Sequence, residues 1–194
     1  MTEPGRRGRP RSESIDTAIL EAAIEELIAH GLVGLQMEAV AARAGVAKTT
    51  VYRRWPATPD LALAAVRYIK PLPVDPPEGT VREQLLWLLQ RMRAQWGEPR
   101  YAALMRRIAA DANTAPDLYR DGRTRLIGPH IEVMHRVLER AVADGLVAPD
   151  ADLELLRMMM TSPITASALT LAPYPSAAQV ERAVDTVLRG AAPR

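Results

Sequence analysis

The strongest constraint on the fold is a proline-rich segment that interrupts the chain after its first third. Residues 71–77 read PLPVDPP, so four of these seven positions are proline. No α-helix can cross the segment, because proline lacks a backbone N–H and its ring clashes with the preceding turn. We therefore expect a linker at 71–79 that separates an N-terminal part from a longer C-terminal part, 80–194.

On both sides of the linker, apolar residues recur at the helical period. Leu20, Ile24 and Leu27, for example, share one face of the first predicted helix. Two capping boxes, TVRE at 80–83 and SAAQ at 176–179, mark helix starts, and no alternating apolar run suggests a strand. The sequence predicts an all-α fold of about nine helices, over residues 14–30, 37–44, 48–54, 58–70, 81–96, 101–112, 116–143, 152–171 and 179–189.

Composition excludes several classes of protein. The chain has no cysteine, which excludes disulfide frameworks, thiolate metal sites and cysteine nucleophiles. Charge or proline interrupts every apolar stretch within about a dozen residues, which is too short to span a bilayer. The arginine-rich N-terminus lacks the apolar core of a secretory signal. We expect a cytoplasmic protein without a membrane partner.

Charge is concentrated near the N-terminus, although the net charge is only +2. Residues 1–11 carry four arginines against one glutamate, and residues 39–55 carry four bases and no acid. From residue 71 onward, acids and bases balance at 15 each. This distribution favours a head that binds a polyanion on a neutral body. The alternative is that both basic segments are merely solvated faces.

Residues 31–61 have the pattern of a helix-turn-helix motif. Two short predicted helices are joined by a turn at Gly45, and a longer helix precedes them. The second short helix is too short to be stable alone, so we expect Val46, Val51 and Trp55 to pack it against the domain. Its other side chains would face outward and reach the phosphates and base edges of a major groove. The alternative is an ordinary helical corner with a solvated basic face.

Two stretches, AILEAAIEEL with AHGL and then MEAVAARAGVAKTTVYRRWP, resemble the N-terminal DNA-binding domain of the TetR/AcrR family of bacterial transcriptional regulators. The resemblance covers residues 12 to about 66. It implies an all-α homodimer with a ligand pocket in its C-terminal helices and a dimer interface on its last two helices. It also places the family's DNA-contacting positions on Ala47, Lys48, Thr49, Thr50, Tyr52 and Arg53.

Three positions depart from the family pattern. The family commonly has Ser or Thr at positions 36 and 47 and Lys at 58, where they bind phosphate at helix N-termini. This chain has Gln36, Ala47 and Thr58, of which only Ala47 lacks a side-chain donor. The expected DNA-binding residues are Arg7, Arg9, Arg11, Gln36, Arg43, Lys48, Thr49, Thr50, Tyr52, Arg53 and Thr58.

The N-terminal segment gives a further expectation. Residues 7–11, RGRPR, look like the Gly-Arg-Pro core of an AT-hook. Extended arginines fit a narrow, electronegative minor groove, and glycine and proline keep such a segment thin and non-helical. We expect residues 1–11 to form a flexible basic arm that enters the minor groove, ahead of a helix-turn-helix domain at 12–57 and a connecting helix at 58–70. The alternative is a solubilising tail.

The body after the linker is rich in methionine and tryptophan. Such side chains usually form ordinary core, but together they also suit an adaptable apolar pocket. We expect this body to bind a small, mainly apolar effector. The expected lining residues are Trp87, Met92, Trp96, Met105, Ile108, Ile127, His130, Met134, Met159 and Thr161.

The last two predicted helices would form the dimer seam that the resemblance implies. Two copies would then bind a palindromic operator on double-stranded DNA, and an effector that favours a conformer with the wrong spacing would release it. This is the expected action of a repressor. The expected seam residues are Leu153, Leu156, Met160, Ile164, Ala168, Val180, Val184, Val187 and Leu188.

Two other functional classes are alternatives to a ligand-responsive regulator. An enzyme is not expected, because His30, His130 and His135 lie in no zinc-protease or hydrolase motif, and no cofactor or metal is expected either. A sequence-indifferent architectural DNA-binding protein is the other alternative, and it would leave the neutral body without a role. Competition with unrelated duplex separates that alternative from a specific regulator.

Overall fold

The computed structural model of the protein describes residues 9–70 and 73–193, and within these ranges it contains nine α-helices and no strand. This confirms the prediction of an all-α fold. The helices are α1 (Arg9–Gly34), α2 (Met37–Ala44), α3 (Lys48–Arg54), α4 (Thr58–Ile69), α5 (Val81–Gly97), α6 (Pro99–Ala110), α7 (Pro116–Ala143), α8 (Leu153–Thr170) and α9 (Ala177–Gly190).

Both predicted capping boxes are present. The Thr80 hydroxyl accepts a hydrogen bond from the backbone N–H of Glu83, whose carboxylate accepts one from the N–H of Thr80. Ser176 and Gln179 make the same reciprocal pair at the start of α9. Because each box satisfies two otherwise unpaired N–H groups, these helix starts are fixed by local sequence.

The first helix begins earlier than predicted, at Arg9 rather than at residue 14. Pro10 is tolerated there, because N–H groups in a first turn have no helical partner to lose. The expectation of an extended arm is therefore wrong for residues 9–11, which are helical. The expected contact by Arg7 lies outside the described residues.

α1 is interrupted near its C-terminus. Gly31 has φ 75° and ψ −172°, a backbone conformation that is essentially restricted to glycine. The sequence predicts that the helix ends at residue 30, and the structure shows a break at the next residue followed by one short turn over residues 32–34. This break redirects the chain just before α2.

The described residues form two compact units. The first comprises residues 9–70 together with 107–122. The linker-based division had assigned 107–122 to the C-terminal part, whereas hydrogen bonds to the end of α1 join these residues to the first unit. The largest fully buried side chains of this unit are Ile19, Ile24, Leu27, Val40 and Leu61.

The second unit comprises residues 73–106 and 123–193. A forked ion pair joins α5 to α9 within it, because the Arg82 guanidinium donates to Asp185 at 2.6 Å and to Glu181 at 2.7 Å. The same unit has a buried apolar core, and the burial of apolar side chains is the main contribution to the stability of such a fold. Its largest fully buried side chains are Tyr101, Leu85, Leu89, Leu104, Leu138, Met160 and Ile164.

Candidate nucleic-acid interface

The turn between α2 and α3 is held by a glycine in the left-handed conformation. Gly45 has φ 66° and ψ 32°, and the N–H of Val46 donates to the carbonyl of Ala41 at 3.0 Å. A Cβ at residue 45 would meet nothing within 4 Å, so glycine is required here by the backbone angle and not by lack of space. Both short helices have the bounds that the sequence predicted, 37–44 and 48–54.

The seven-residue helix α3 has one buried side and one exposed side. Val51 is completely buried, and Val46 and Trp55 are half-buried at the two ends, as the packing hypothesis requires. On the other side, Lys48, Thr49, Tyr52 and Arg53 are exposed, and Thr50 is partly so. The structure therefore brings five of the expected DNA-binding residues to a single short helix.

Two bases of the basic segment are paired with acids of α1. The Nε and Nη2 atoms of Arg43 each lie 2.9 Å from Oε1 of Glu26, whose side chain is only 7% exposed. Arg54 forms an ion pair with Asp16 through its Nε atom. These pairs tie α2 and α3 to α1. Arg43 therefore has a structural role in joining α2 to α1, and its contact with DNA stays a prediction.

A third base faces an acid on the outward side. Glu38, in the first turn of α2, accepts a hydrogen bond from the Tyr52 hydroxyl at 3.3 Å and lies 3.7 Å from Nζ of Lys48. A backbone N–H at the start of α2, then the charge of Lys48 and the hydroxyl of Tyr52, hold the pKa of the Glu38 carboxyl below its usual value. Glu38 is a site residue that the sequence interpretation missed.

Arg53 is in a different situation from Arg43, Arg54 and Lys48. Within the described part of the chain it forms no hydrogen bond or ion pair, and its side chain is exposed. Its guanidinium is thus available for a phosphate or for the acceptor atoms of guanine.

Two further expected contacts lie near helix starts. Gln36 is the exposed N-cap residue of α2, and Thr58 is the first residue of α4, whose N-cap is Ala57. Neither N-cap makes a side-chain hydrogen bond to its helix, so N–H groups of both first turns have no side-chain acceptor from the cap. Such N–H groups are suited to bind phosphate oxygens. Arg9 and Arg11 lie in the first turns of α1.

The expected effector-lining residues fall into different environments. Trp96, Met105 and Met134 are buried in the second unit, and Thr161 is also buried there. Met159 is 50% exposed on α8, and Ile108 belongs to the first unit, so these two differ in environment from the four buried residues. Their contact with an effector stays a prediction. The remaining members, Trp87, Met92, Ile127 and His130, are half-buried.

A buried tyrosine was missing from the expected set. Tyr101, on α6, is only 1% exposed, and its ring meets the edge of Trp96 with the ring centroids 5.4 Å apart. Burial raises the pKa of its hydroxyl, which forms no hydrogen bond with any described residue. A buried hydroxyl without a partner is unusual, because it loses its hydrogen bonds to water without replacement.

The expected dimer seam is also corrected. Seven of its nine residues are buried inside the single chain, where they pack α8 and α9 against the second unit, and a buried side chain cannot meet a second copy. These seven are Leu156, Met160, Ile164, Ala168, Val180, Val184 and Val187. Leu153 and Leu188 are half-buried. The large apolar side chains that α8 does expose are Leu155, Met158 and Met159, each about half exposed.

Comparisons with known proteins agree with this geometry. Residues 19–65 match the bacterial regulatory proteins of the tetR family, and residues 75–187 match the tetracyclin repressor-like C-terminal domain. The DNA-binding transcriptional repressor TetR of Mycobacteroides abscessus is 31% identical over 183 residues, which cover 92% of this chain and 94% of that protein. The chain therefore belongs to the TetR family and is a DNA-binding transcriptional regulator.

Solved structures share the fold. A TetR family transcriptional regulator from Pseudomonas syringae has a TM-score of 0.65 and 22% identity, with 95% of each chain covered. The regulator FadR from Bacillus subtilis, in complex with stearoyl-CoA, has a TM-score of 0.65 and 17% identity, and the match covers 89% of this chain and 95% of FadR.

Two kinds of feature are absent from the described residues. No helix there combines the length and the apolar character needed to cross a membrane. No group of three or more histidine, aspartate or glutamate side chains in the same part of the chain could hold a metal ion.

Proposed function

We propose that this regulator is a homodimeric repressor that acts in the bacterial cytoplasm and leaves its operator when a small, mainly apolar effector binds. The observation that carries the DNA-binding part is the two-sided character of α3. One side is buried through Val51, and the opposite side exposes polar groups of the kinds that reach base edges and phosphates. The outward set is Lys48, Thr49, Thr50, Tyr52 and Arg53.

The contacts with DNA divide into two kinds. Arg53 and Thr49 are exposed on α3 and would enter the major groove, with Lys48 and Tyr52 beside them. Gln36 and Thr58, at the starts of α2 and α4, would bind phosphates and fix the orientation of α3. Contact of the N-terminal arginines with the minor groove stays a prediction.

A dimer is supported by the exposed apolar side chains of α8. Leu155, Met158 and Met159 lie on the same helix, and side chains of this kind are enriched where protein surfaces meet. Each copy would present one α3, and two copies would read half-sites about 34–36 Å apart, one turn of B-DNA. The operator would then be a palindrome.

The second unit is the candidate site for the effector. Trp96, Met105 and Met134 supply buried apolar and aromatic surface, and the hydroxyl of Tyr101 supplies one polar group. An apolar chamber with few polar groups is typical of small-molecule sites. The stearoyl-CoA bound by the structurally similar FadR supports an apolar effector for this fold.

The first experiment measures binding to a fluorescent duplex from the DNA that flanks the gene, in competition with unlabelled random duplex. We expect a preference of about a thousandfold or more, with two chains or a multiple of two per site. Arg53→Ala should weaken binding and reduce the slope of log K against log salt by about 0.9 per chain, or about 1.8 per dimer, if both guanidinium groups contact phosphate. Arg67→Ala, an exposed arginine in the last turn of α4, is the matched control and should change neither quantity.

The oligomeric state is tested by sedimentation. Met158→Glu should produce monomers that bind the operator poorly, because it places a charge on the exposed face of α8. Val33→Glu, at a 64% exposed apolar residue of α1, is the control and should leave the dimer intact. Equal affinity for flanking and random duplex would favour the architectural alternative.

A further inference from the structure

The break in α1 is enclosed by two side chains from the end of α6. The N–H of Leu32, directly after the break, donates to Oδ2 of Asp111 at 2.6 Å. The carbonyl of His30, directly before the break, accepts from Nη2 of Arg107 at 2.8 Å. Both partners are within the first unit. The two backbone groups on either side of Gly31 are therefore bound by one acid and one base from a distant part of the sequence.

The enclosure leaves no space at Gly31. A Cβ at this residue would lie 2.4 Å from Oδ2 of Asp111 and 2.6 Å from Nε of Arg107. Asp111 is 5% exposed, and its carboxylate lies 3.9 Å from the Arg107 guanidinium one helical turn earlier. Because the carboxylate is buried and already hydrogen-bonded, it has little freedom to move aside. We refer to Arg107 and Asp111 as the Gly31 clamp.

The clamp acts on the part of α1 that leads to the DNA-facing helices. Leu32 precedes Gln36, the N-cap of α2, by four residues. Leu35 and Met37, on either side of that cap, are buried, so the path from the break to α2 is anchored at both ends. Leu32 also lines a shallow surface pocket together with Thr58 and Pro59 at the start of α4.

We propose that Asp111 and Arg107 are positioning residues for DNA binding, which fix the last turn of α1 and thereby the starts of α2 and α4 without contacting DNA. The inference rests on the proposed operator binding. Its physical basis is that a contact surface must be held within about 0.5 Å of its productive geometry to keep its affinity. A residue that sets the direction of the chain next to two helix starts meets that requirement.

The test uses variants that differ in what they offer to Leu32. Asp111→Leu removes the acceptor and keeps the branched outline of the side chain, whereas Asp111→Asn keeps an oxygen that can accept the N–H. We expect the leucine variant to lose about tenfold or more in operator affinity, and the asparagine variant to recover most of that loss. Arg107→Gln, at a partly exposed residue, provides an independent variant if Asp111→Leu does not fold.

Two readouts separate positioning from simple loss of stability. Because neither residue contacts phosphate, the salt slope of operator binding should stay at the wild-type value while the affinity falls, in contrast to Arg53→Ala. Val66→Ala, a core change in α4, destabilises the same unit without touching the break and should bind the operator normally under conditions where it is folded. Far-ultraviolet circular dichroism checks folding for every variant.

The outcomes are distinct. Wild-type affinity in folded Asp111→Leu or Arg107→Gln would overturn the proposal, and so would an equal loss in Val66→Ala. If the wild-type protein itself binds flanking and random duplex equally, the proposed operator binding has failed before the variants are compared. A loss in Asp111→Leu with recovery in Asp111→Asn at unchanged salt slope supports the clamp.

Discussion

Arg43 and Glu26 form an ion pair in which two guanidinium nitrogens each lie 2.9 Å from a single carboxylate oxygen, and this pair joins α2 to α1. Glu26 is almost fully buried, whereas the Arg43 side chain is half exposed. We expect Arg43→Gln to lower the free energy of unfolding by about 1–2 kcal/mol, less than for a fully buried pair because water screens the exposed side. Urea denaturation measures this change.

The same variant distinguishes a structural role from a DNA contact. If Arg43 only supports α2, Arg43→Gln should keep the wild-type salt slope of DNA binding. A slope reduced by about 0.9 per chain, or about 1.8 per dimer, would instead show that Arg43 contacts phosphate.

Glu38 places a negative charge beside the groups that would meet DNA. Its carboxylate engages Tyr52 and Lys48 and would repel phosphate. Glu38→Gln should therefore raise the affinity for random duplex several-fold, because Lys48 is then free to bind a phosphate. The affinity should also depend more steeply on salt concentration. The specificity ratio should fall, since the gain is independent of sequence. Glu78→Gln, in an exposed segment after the linker prolines, is the matched control, and equal random-duplex affinity in both variants would contradict the prediction.

The Tyr101 hydroxyl is buried without a hydrogen-bond partner among the described residues. Tyr101→Phe should therefore keep or raise the free energy of unfolding, by up to about 1 kcal/mol, because a desolvated polar group is removed. Tyr174→Phe is the matched control, for which we expect the free energy of unfolding to change in the opposite direction. Its hydroxyl donates to the carbonyl of Arg93 at 2.6 Å, and its removal should lower stability by about 1 kcal/mol. Thermal unfolding of both variants tests the contrast, and a destabilised Tyr101→Phe would show that the hydroxyl has a partner.

Glu154 links α7 and α8 and gives stability a dependence on pH. Hydrogen bonds from Arg157, and then from His135, lower the pKa of Glu154 to about 2 from an ordinary value of 4.5. Because the pKa is lower in the folded state than in the unfolded state, the ionised carboxylate stabilises the fold above pH 4.5. This stabilisation is lost as the pH falls from about 4.5 toward 2. Because Glu154 is half exposed, we expect its interactions to contribute less than about 1 kcal/mol to the free energy of unfolding. The difference in stability between wild type and Glu154→Gln should shrink over that range, and a constant difference would contradict the assignment.

The sequence determined some parts of this structure more closely than others. The bounds of α2 and α3 were predictable because Gly45 and the Trp55-Pro56 pair end these helices through local backbone chemistry. The start of α1 was not, because proline is compatible with both an extended arm and a first helical turn. A local sequence signal therefore predicts a helix end only where it is incompatible with continuing the helix.

The site residues show a different limit. The spacing of apolar residues identified the buried faces of α8 and α9. The helical period alone does not distinguish a face that packs against the same chain from one that packs against a second copy. The charge distribution likewise identified the basic segment at 39–55, but it did not identify the acids that pair with its arginines. The run of acids without bases at 12–38 contained the signal, since Asp16 and Glu26 pair with Arg54 and Arg43. Tertiary packing decides which acids reach which bases.

The two sides of α3 have separate tasks, and this has a consequence for engineering. Val51 and the Arg54–Asp16 pair hold the helix in place, whereas Thr49 and Arg53 project outward and neither is buried in the domain. A library randomised at positions 49 and 53 should therefore yield mostly folded proteins with altered operator preferences. Such variants would direct the protein to new promoters without any change to the proposed effector site.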